Sequence, residues 1–178
     1  MENSSALRLD RLSLESSRLL SQRVKEVRKI IDLQWVRQLT EADAPWPTHR
    51  SYTAAQRKGR AYEKKAADLV EELLPGHTVL RGVWFQYVDR HGGGIAQPDY
   101  VVSSRKCVYV FEVKLTHTQQ AFRQLQDLYE PLVRGYFRRP VTLIEICKTL
   151  TPDKNLRLIK DLSEASANGR VYTIHWRP

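Results

Sequence analysis

The chain has 178 residues and a mass of 20.7 kDa, which suits one compact domain with a short appendage and excludes two full domains. Hydrophobic residues make up 42% and charged residues 28%, a globular balance that excludes a disordered chain. Lys and Arg number 29 against 20 Asp and Glu, and the resulting net charge of +9 favours a polyanionic partner, most often nucleic acid.

The first helix is predicted over Leu12 to Leu39, where Leu20, Val24, Val27, Ile31 and Trp35 recur at helical spacing. Its apolar stripe needs a cover, so a second copy of the chain or a protein partner is expected there. Pro45-Trp46-Pro47 then ends the helix, which gives a helical extension and linker at 1–48 and a main domain at 49–178. A second helix is predicted from Thr53 to Leu74, with Tyr62, Ala66, Leu69 and Leu73 buried and Pro75-Gly76 as the stop.

Strands are predicted at His77 to Val88, Ala96 to Ser103 and Lys106 to Leu115, with Asp89 to Gly94 as a hairpin loop. The three glycines of that loop lack the following Lys-Ser/Thr of a phosphate-binding P-loop. A third helix runs from Thr118 to Gly135 on Phe122, Leu125, Tyr129, Leu132 and Tyr136, with Pro131 kinking or ending it. Val141 to Cys147 reads as a strand buried on both faces, broken only by Thr142 and Glu145. A short helix near Lys154 to Glu164 and a strand at Val171 to Trp176 close the chain. The expected class is α/β. Cys107 and Cys147 are expected as reduced core thiols, too few for a disulfide scaffold or a Cys-rich metal site. No run reaches the ~20 apolar residues of a membrane span. The start of the chain lacks a signal-peptide pattern, so a cytoplasmic protein is expected.

Chemistry concentrates in four residues. Asp99 follows Pro98 early in one strand, and Glu112 and Lys114 lie two apart in the next, on one face. A Glu and a Lys in so apolar a strand are costly to desolvate unless they are paired or bind something. Carboxylates from neighbouring strands can hold a hard cation such as Mg²⁺ or Mn²⁺, and a lysine beside them can orient or deprotonate a water. Glu63, on the preceding helix, lies near the apolar stripe. The competing reading is a solvated ion pair on the sheet. His91 and His117 are weaker candidates. Arg50, Arg57, Lys58, Arg60, Lys64 and Lys65 around the start of the second helix, with Arg134, Arg138 and Arg139 after the third, form a candidate phosphate-contacting group.

Pro98-Asp99 followed, after twelve residues, by Glu112-Val113-Lys114 resembles the PD-(D/E)xK nuclease superfamily over roughly Thr53 to Cys147. The resemblance implies a restriction-endonuclease-like αβββαβ core. It implies Asp99 and Glu112 as metal ligands, with the Val113 carbonyl adding another, Lys114 as the catalytic lysine, and Glu63 as the acidic residue of the first core helix. RecB-like nucleases and many phage exonucleases place a Gln and then a Tyr, four residues on, along the following helix. Here Gln119, Gln124, Gln126 and Tyr129 are candidates, with Gln126 taken as the site glutamine. Gln126 to Tyr129 is three residues and Gln124 to Tyr129 five. The implied activity is Mg²⁺-dependent hydrolysis of DNA, of a small phage or bacterial kind. An idle nucleic-acid-binding or assembly protein of the same fold and an RNA-directed nuclease toxin stay open.

Overall fold

The computed structural model describes residues 27–45 and 51–178. The chain builds a mixed α/β structure around two sheets. The larger has the order β2 (Val79–Arg81), β5 (Tyr100–Ser103), β6 (Val108–Thr116), β7 (Val141–Thr149), β8 (Val171–His175). β5 runs antiparallel to both of its neighbours, β2 and β6, whereas β6, β7 and β8 run parallel. The smaller is an antiparallel sheet of β1 (Trp35–Gln38), β3 (Phe85–Asp89) and β4 (Gly92–Ala96).

Parallel strands need a crossover, and between β6 and β7 it is a helix in three parts: α2 (Gln119–Arg123), a π-helical segment (Gln124–Tyr129) and α3 (Glu130–Phe137). The parts cover one face of the large sheet together with the small sheet, burying Phe85, Phe122, Leu125, Leu132, Val110 and Leu143 in one cluster. Helix α1 (Ala54–Leu73) covers the other face, with Tyr62, Ala66 and Val70 against Phe111, Val113 and Ile144. A capping box starts α1: the Gln56 amide donates to the Thr53 hydroxyl at 3.2 Å, and the Gln56 side chain accepts from the Thr53 amide at 2.9 Å. No described helix is long and apolar enough to cross a membrane.

The predicted helix over 12–39 is not formed in its described part. Residues 27–34 are irregular and Trp35–Gln38 is a strand paired with β3; residues 12–26 of that prediction lie outside the described residues, as do 46–50 of the linker. The four-residue spacing of Val27, Ile31 and Trp35 suits a helix, but Ile31 and Trp35 are 37% and 44% exposed while Ile30 and Leu39 are buried. An irregular stretch followed by an edge strand of period two is what those residues obey.

Other boundaries also move. The predicted strand at 77–88 splits between the two sheets at Gly82, whose φ of +55° is open to glycine and strained for other residues. The glycines expected in a hairpin loop form β4, and the turn is Arg90-His91. Gly94 is required there, because a Cβ would lie 2.4 Å from the Tyr87 ring. The predicted strand at 96–103 begins only at Tyr100. The predicted helix at 154–164 is reduced to a 3₁₀ turn at Leu162–Glu164. Cys147 is buried, but Cys107 is only half-buried in the β5–β6 turn.

Pro131 lies just inside α3 rather than breaking it. It has no N–H to reach the carbonyl of Asp127, and that carbonyl accepts instead from the Ile30 amide at 2.9 Å. The same region is π-helical, with the Glu130 amide reaching back five residues to the Leu125 carbonyl.

Candidate active site

The β5–β6 register pairs Tyr100 with Phe111, so one residue earlier Asp99 arrives opposite Glu112. Asp99 Oδ2 accepts the Val113 amide at 2.7 Å and so prolongs the ladder by one bond. Two further contacts hold this corner. The Gly82 amide donates to the Asp99 carbonyl at 2.8 Å, and the Tyr129 hydroxyl donates to the Gln97 carbonyl at 3.0 Å.

Glu112 and Lys114 share the face of Val108 and Val110, as alternation requires. They form an ion pair through Glu112 Oε1, with the Glu112 side chain 2% exposed and that of Lys114 34% exposed. Glu112 Oε2 is buried and has no hydrogen-bond partner among the described residues. The Glu63 backbone carbonyl accepts from the Tyr100 hydroxyl, and the Glu63 charge acts on Asp99, Glu112 and Lys114 alike. Glu63, Asp99, Glu112 and Lys114 are thus within one electrostatic neighbourhood.

The electrostatics of the cluster are unbalanced. Burial pushes the Asp99 carboxyl up to about 6, against the pull of Lys114 and the Val113 amide. Burial, with the Asp99 charge added, pushes Glu112 up to about 8, and Lys114 only partly offsets this. Burial pulls the Lys114 ammonium down, but Glu112 outweighs that and leaves it above its usual value. Both carboxyls are thus readier than usual to take up a proton or a cation, and Lys114 is the ammonium that acts on both. Among the described residues no group of three or more His, Cys, Asp or Glu side chains forms a ready metal cage. Mg²⁺ is ordinarily held by one or two carboxylates with waters filling the rest. The open Glu112 Oε2 and the adjacent Asp99 fit that pattern.

Gln126 does not join these residues. Its side chain donates to the Gly169 carbonyl at 2.8 Å on a different side of the helix. Gln124 instead donates to the Tyr129 hydroxyl at 2.6 Å, with Tyr129 close enough to feel the Glu112 and Asp99 charges. Their separation of five residues is too long for adjacent turns of an α-helix, and the π-helical segment absorbs the extra residue. Burial holds the Tyr129 phenol well above its usual value, so it stays a hydroxyl donor.

A second buried cluster lies beside the first. Glu145 is the register partner of Glu112 on β7. His117 bridges Glu145 Oε2 at 2.7 Å and Asp153 Oδ2 at 3.2 Å, and Thr173 donates to Glu145 Oε2 at 3.1 Å. Both imidazole nitrogens face carboxylate oxygens, an arrangement that the doubly protonated ring satisfies. Glu145 was visible in the sequence as the one charge in an apolar strand, but its partners, His117 in a loop and Thr173 on β8, each lie 28 residues away in the chain. His91 stays exposed in its turn, and its amide donates to Asp89 Oδ1 at 2.9 Å.

Four of the basic residues picked out in the sequence are occupied, and Arg50 lies outside the described residues. Arg57 and Arg60 bind Tyr52, Arg134 pairs with Glu130, and Arg139 bonds Ser103 and Ser104. Comparison with protein-family models, with curated proteins and with solved structures gave no match.

Proposed function

We propose that this chain is a metal-dependent nuclease of the PD-(D/E)xK kind that hydrolyses phosphodiester bonds of DNA. The observation that carries the reading is the set of Asp99, just before β5, and Glu112 and Lys114 on the adjacent β6, with a buried Glu112 oxygen left open. The order of elements supports it. In the large sheet α1, β2, β5, β6, the crossover helix and β7 follow one another as αβββαβ, and the β3–β4 hairpin is inserted into the other sheet.

Asp99 and Glu112 would hold Mg²⁺ or Mn²⁺, the Val113 carbonyl would add a ligand, and Glu63 would contribute charge from α1. When bound, the cation would supply an acidified water and neutralise charge on the phosphate. Lys114 keeps its ammonium at the solvent-facing edge of Glu112, where it can orient the attacking water and stabilise charge on the phosphate oxygens. Asp99 is held rigidly by the Val113 amide and the Gly82–Asp99 and Tyr129–Gln97 bonds, as such chemistry requires.

The test incubates the protein with labelled linear, supercoiled, branched and single-stranded DNA and with RNA, in Mg²⁺, Mn²⁺ or EDTA. DNA cleavage that needs the divalent cation is expected. Asp99→Asn and Glu112→Gln should abolish it with an unchanged circular dichroism spectrum. Lys114→Ala should lower it by about 10²-fold or more while leaving DNA binding in place. Undiminished cutting by Asp99→Asn or Glu112→Gln would remove the site from consideration. Cleavage of RNA alone would make it a ribonuclease, and binding without cleavage would make it an idle member of the fold.

A further inference from the structure

A separate cleft of about 420 Å³ opens between the crossover helix and the 155–171 segment. Gln119, Arg123 and Gln126 line one side, and Asn155, Arg157 and Arg170 the other. The Gln126–Gly169 bond sets the two walls against each other, so Arg170 follows directly on the tied residue. None of the three arginines forms an ion pair among the described residues, and no acidic side chain lines the cleft.

The apolar lining is confined to Phe122 and Val171, which are 7% and 3% exposed. A ligand here is therefore recognised by charge and hydrogen bonds rather than by burial of an apolar body. Planar guanidiniums present paired donors that match phosphate oxygens, and Asn155 adds a neutral amide, while those of Gln126 and Gln119 are turned to the Gly169 carbonyl and to Asp153. Phe122 also packs edge-on against His117 at 4.8 Å, three residues after Lys114. The floor of the cleft is thus joined to the strand end that carries the carboxylates.

We propose that this cleft binds the phosphodiester backbone of a nucleic-acid strand outside the carboxylate site. It rests on the nuclease reading only in taking that strand to be the substrate.

The test measures binding of a fluorescent single-stranded oligonucleotide in EDTA, where nothing is cut. It compares wild type, Arg123→Gln/Arg157→Gln/Arg170→Gln, and a control of equal charge loss at exposed sites elsewhere, Arg90→Gln/Arg105→Gln/Lys106→Gln. The cleft variant should lose at least tenfold in affinity and the control under threefold. The slope of log affinity against log salt should fall by about 2 in the cleft variant, the value for three lost phosphate contacts on a single strand. Equal losses in the two variants would mean diffuse attraction and overturn the site, as would no loss in either. Inorganic phosphate, titrated by calorimetry, separates the other source. Phosphate binding that the cleft variant loses while oligonucleotide affinity is kept would make it a small-anion site and overturn the strand assignment. Should the triple variant unfold, the three single substitutions carry the same test, each with a slope change of about 0.7. Wild-type protein that binds through the cleft but cuts no nucleic acid in Mg²⁺ or Mn²⁺ would count against the nuclease reading alone.

Discussion

Glu112 and Glu145 sit side by side on parallel strands, yet their burial is compensated differently. Each keeps one buried oxygen without a hydrogen-bond partner among the described residues, but Glu112 has a part-exposed lysine, whereas Glu145 has Thr173 and a buried histidine that is itself clasped by Asp153. Burial pulls the His117 imidazole down, but Glu145 and then Asp153 outweigh it and hold it above its ordinary value. The sign follows. A raised folded value means that the imidazolium contributes fully below the unfolded value near 6.5 and that this contribution fades as pH rises through the folded one. His117→Gln should therefore cost about 3 kcal/mol at pH 6, the low end for breaking a buried ion pair. The gap to wild type should narrow toward pH 9. Melting curves of both proteins at pH 6, 7, 8 and 9 check this, and a gap that widens with pH would contradict it. Such a cluster was half legible in the sequence. An isolated Glu in an apolar strand announces a partner, but the partner's identity depends on loops whose paths no periodicity records.

The π-helical segment explains a spacing that the sequence made look wrong. Gln124 and Tyr129 are one residue too far apart for successive turns of an α-helix, and the segment takes up that residue. Deleting Asp127 should convert the segment to α-helix and bring the two side chains to a four-residue spacing. The Gln126 carbonyl would then lie four residues before the proline and could accept the Ile30 amide in place of Asp127. The deletion protein should stay folded and cooperative, whereas deleting Leu132, which puts Val133 and the rest of α3 out of phase, should not fold. Thermal melts followed by circular dichroism decide between them. Elements with long, consistent patterns were readable: α1 begins and ends within a residue of expectation, and β6 and β7 announce themselves as continuous apolar runs. The strand β1 was not, because a short edge strand beside an irregular stretch mimics helical spacing. Gly82 hid a change of sheet inside one β-rich run, and the segment at 154–164 has helix-compatible residues that instead serve loop contacts. The cleft arginines Arg123, Arg157 and Arg170 are dispersed along the chain and gathered only by the fold.

Taken as one body, the molecule depends on its N-terminal segment more than an appendage would. Arg28 pairs with Asp89 at 2.5 Å, Ile30 bonds Asp127, and β1 completes the small sheet over Phe85 and Tyr87. Removing residues 1–45 should cost about 3–6 kcal/mol from Ile30 and Leu39 alone, an upper figure for two buried aliphatic side chains. That is a large share of a typical stability of about 5–15 kcal/mol. The urea midpoint should fall sharply, and an unchanged midpoint would show the segment to be dispensable. Gly135 lies where a Cβ would come within 2.6 Å of Leu33, so the segment docks on α3 as well as on β3. This ties the start of the chain to a residue about a hundred positions later, with a consequence for synthesis. At roughly 5–20 residues per second, the ribosome needs about 5–20 s after Leu33 emerges before Gly135 does. Through that interval the strand and its apolar neighbours wait without their final cover, which makes the nascent chain, rather than the finished protein, the form most in need of a chaperone.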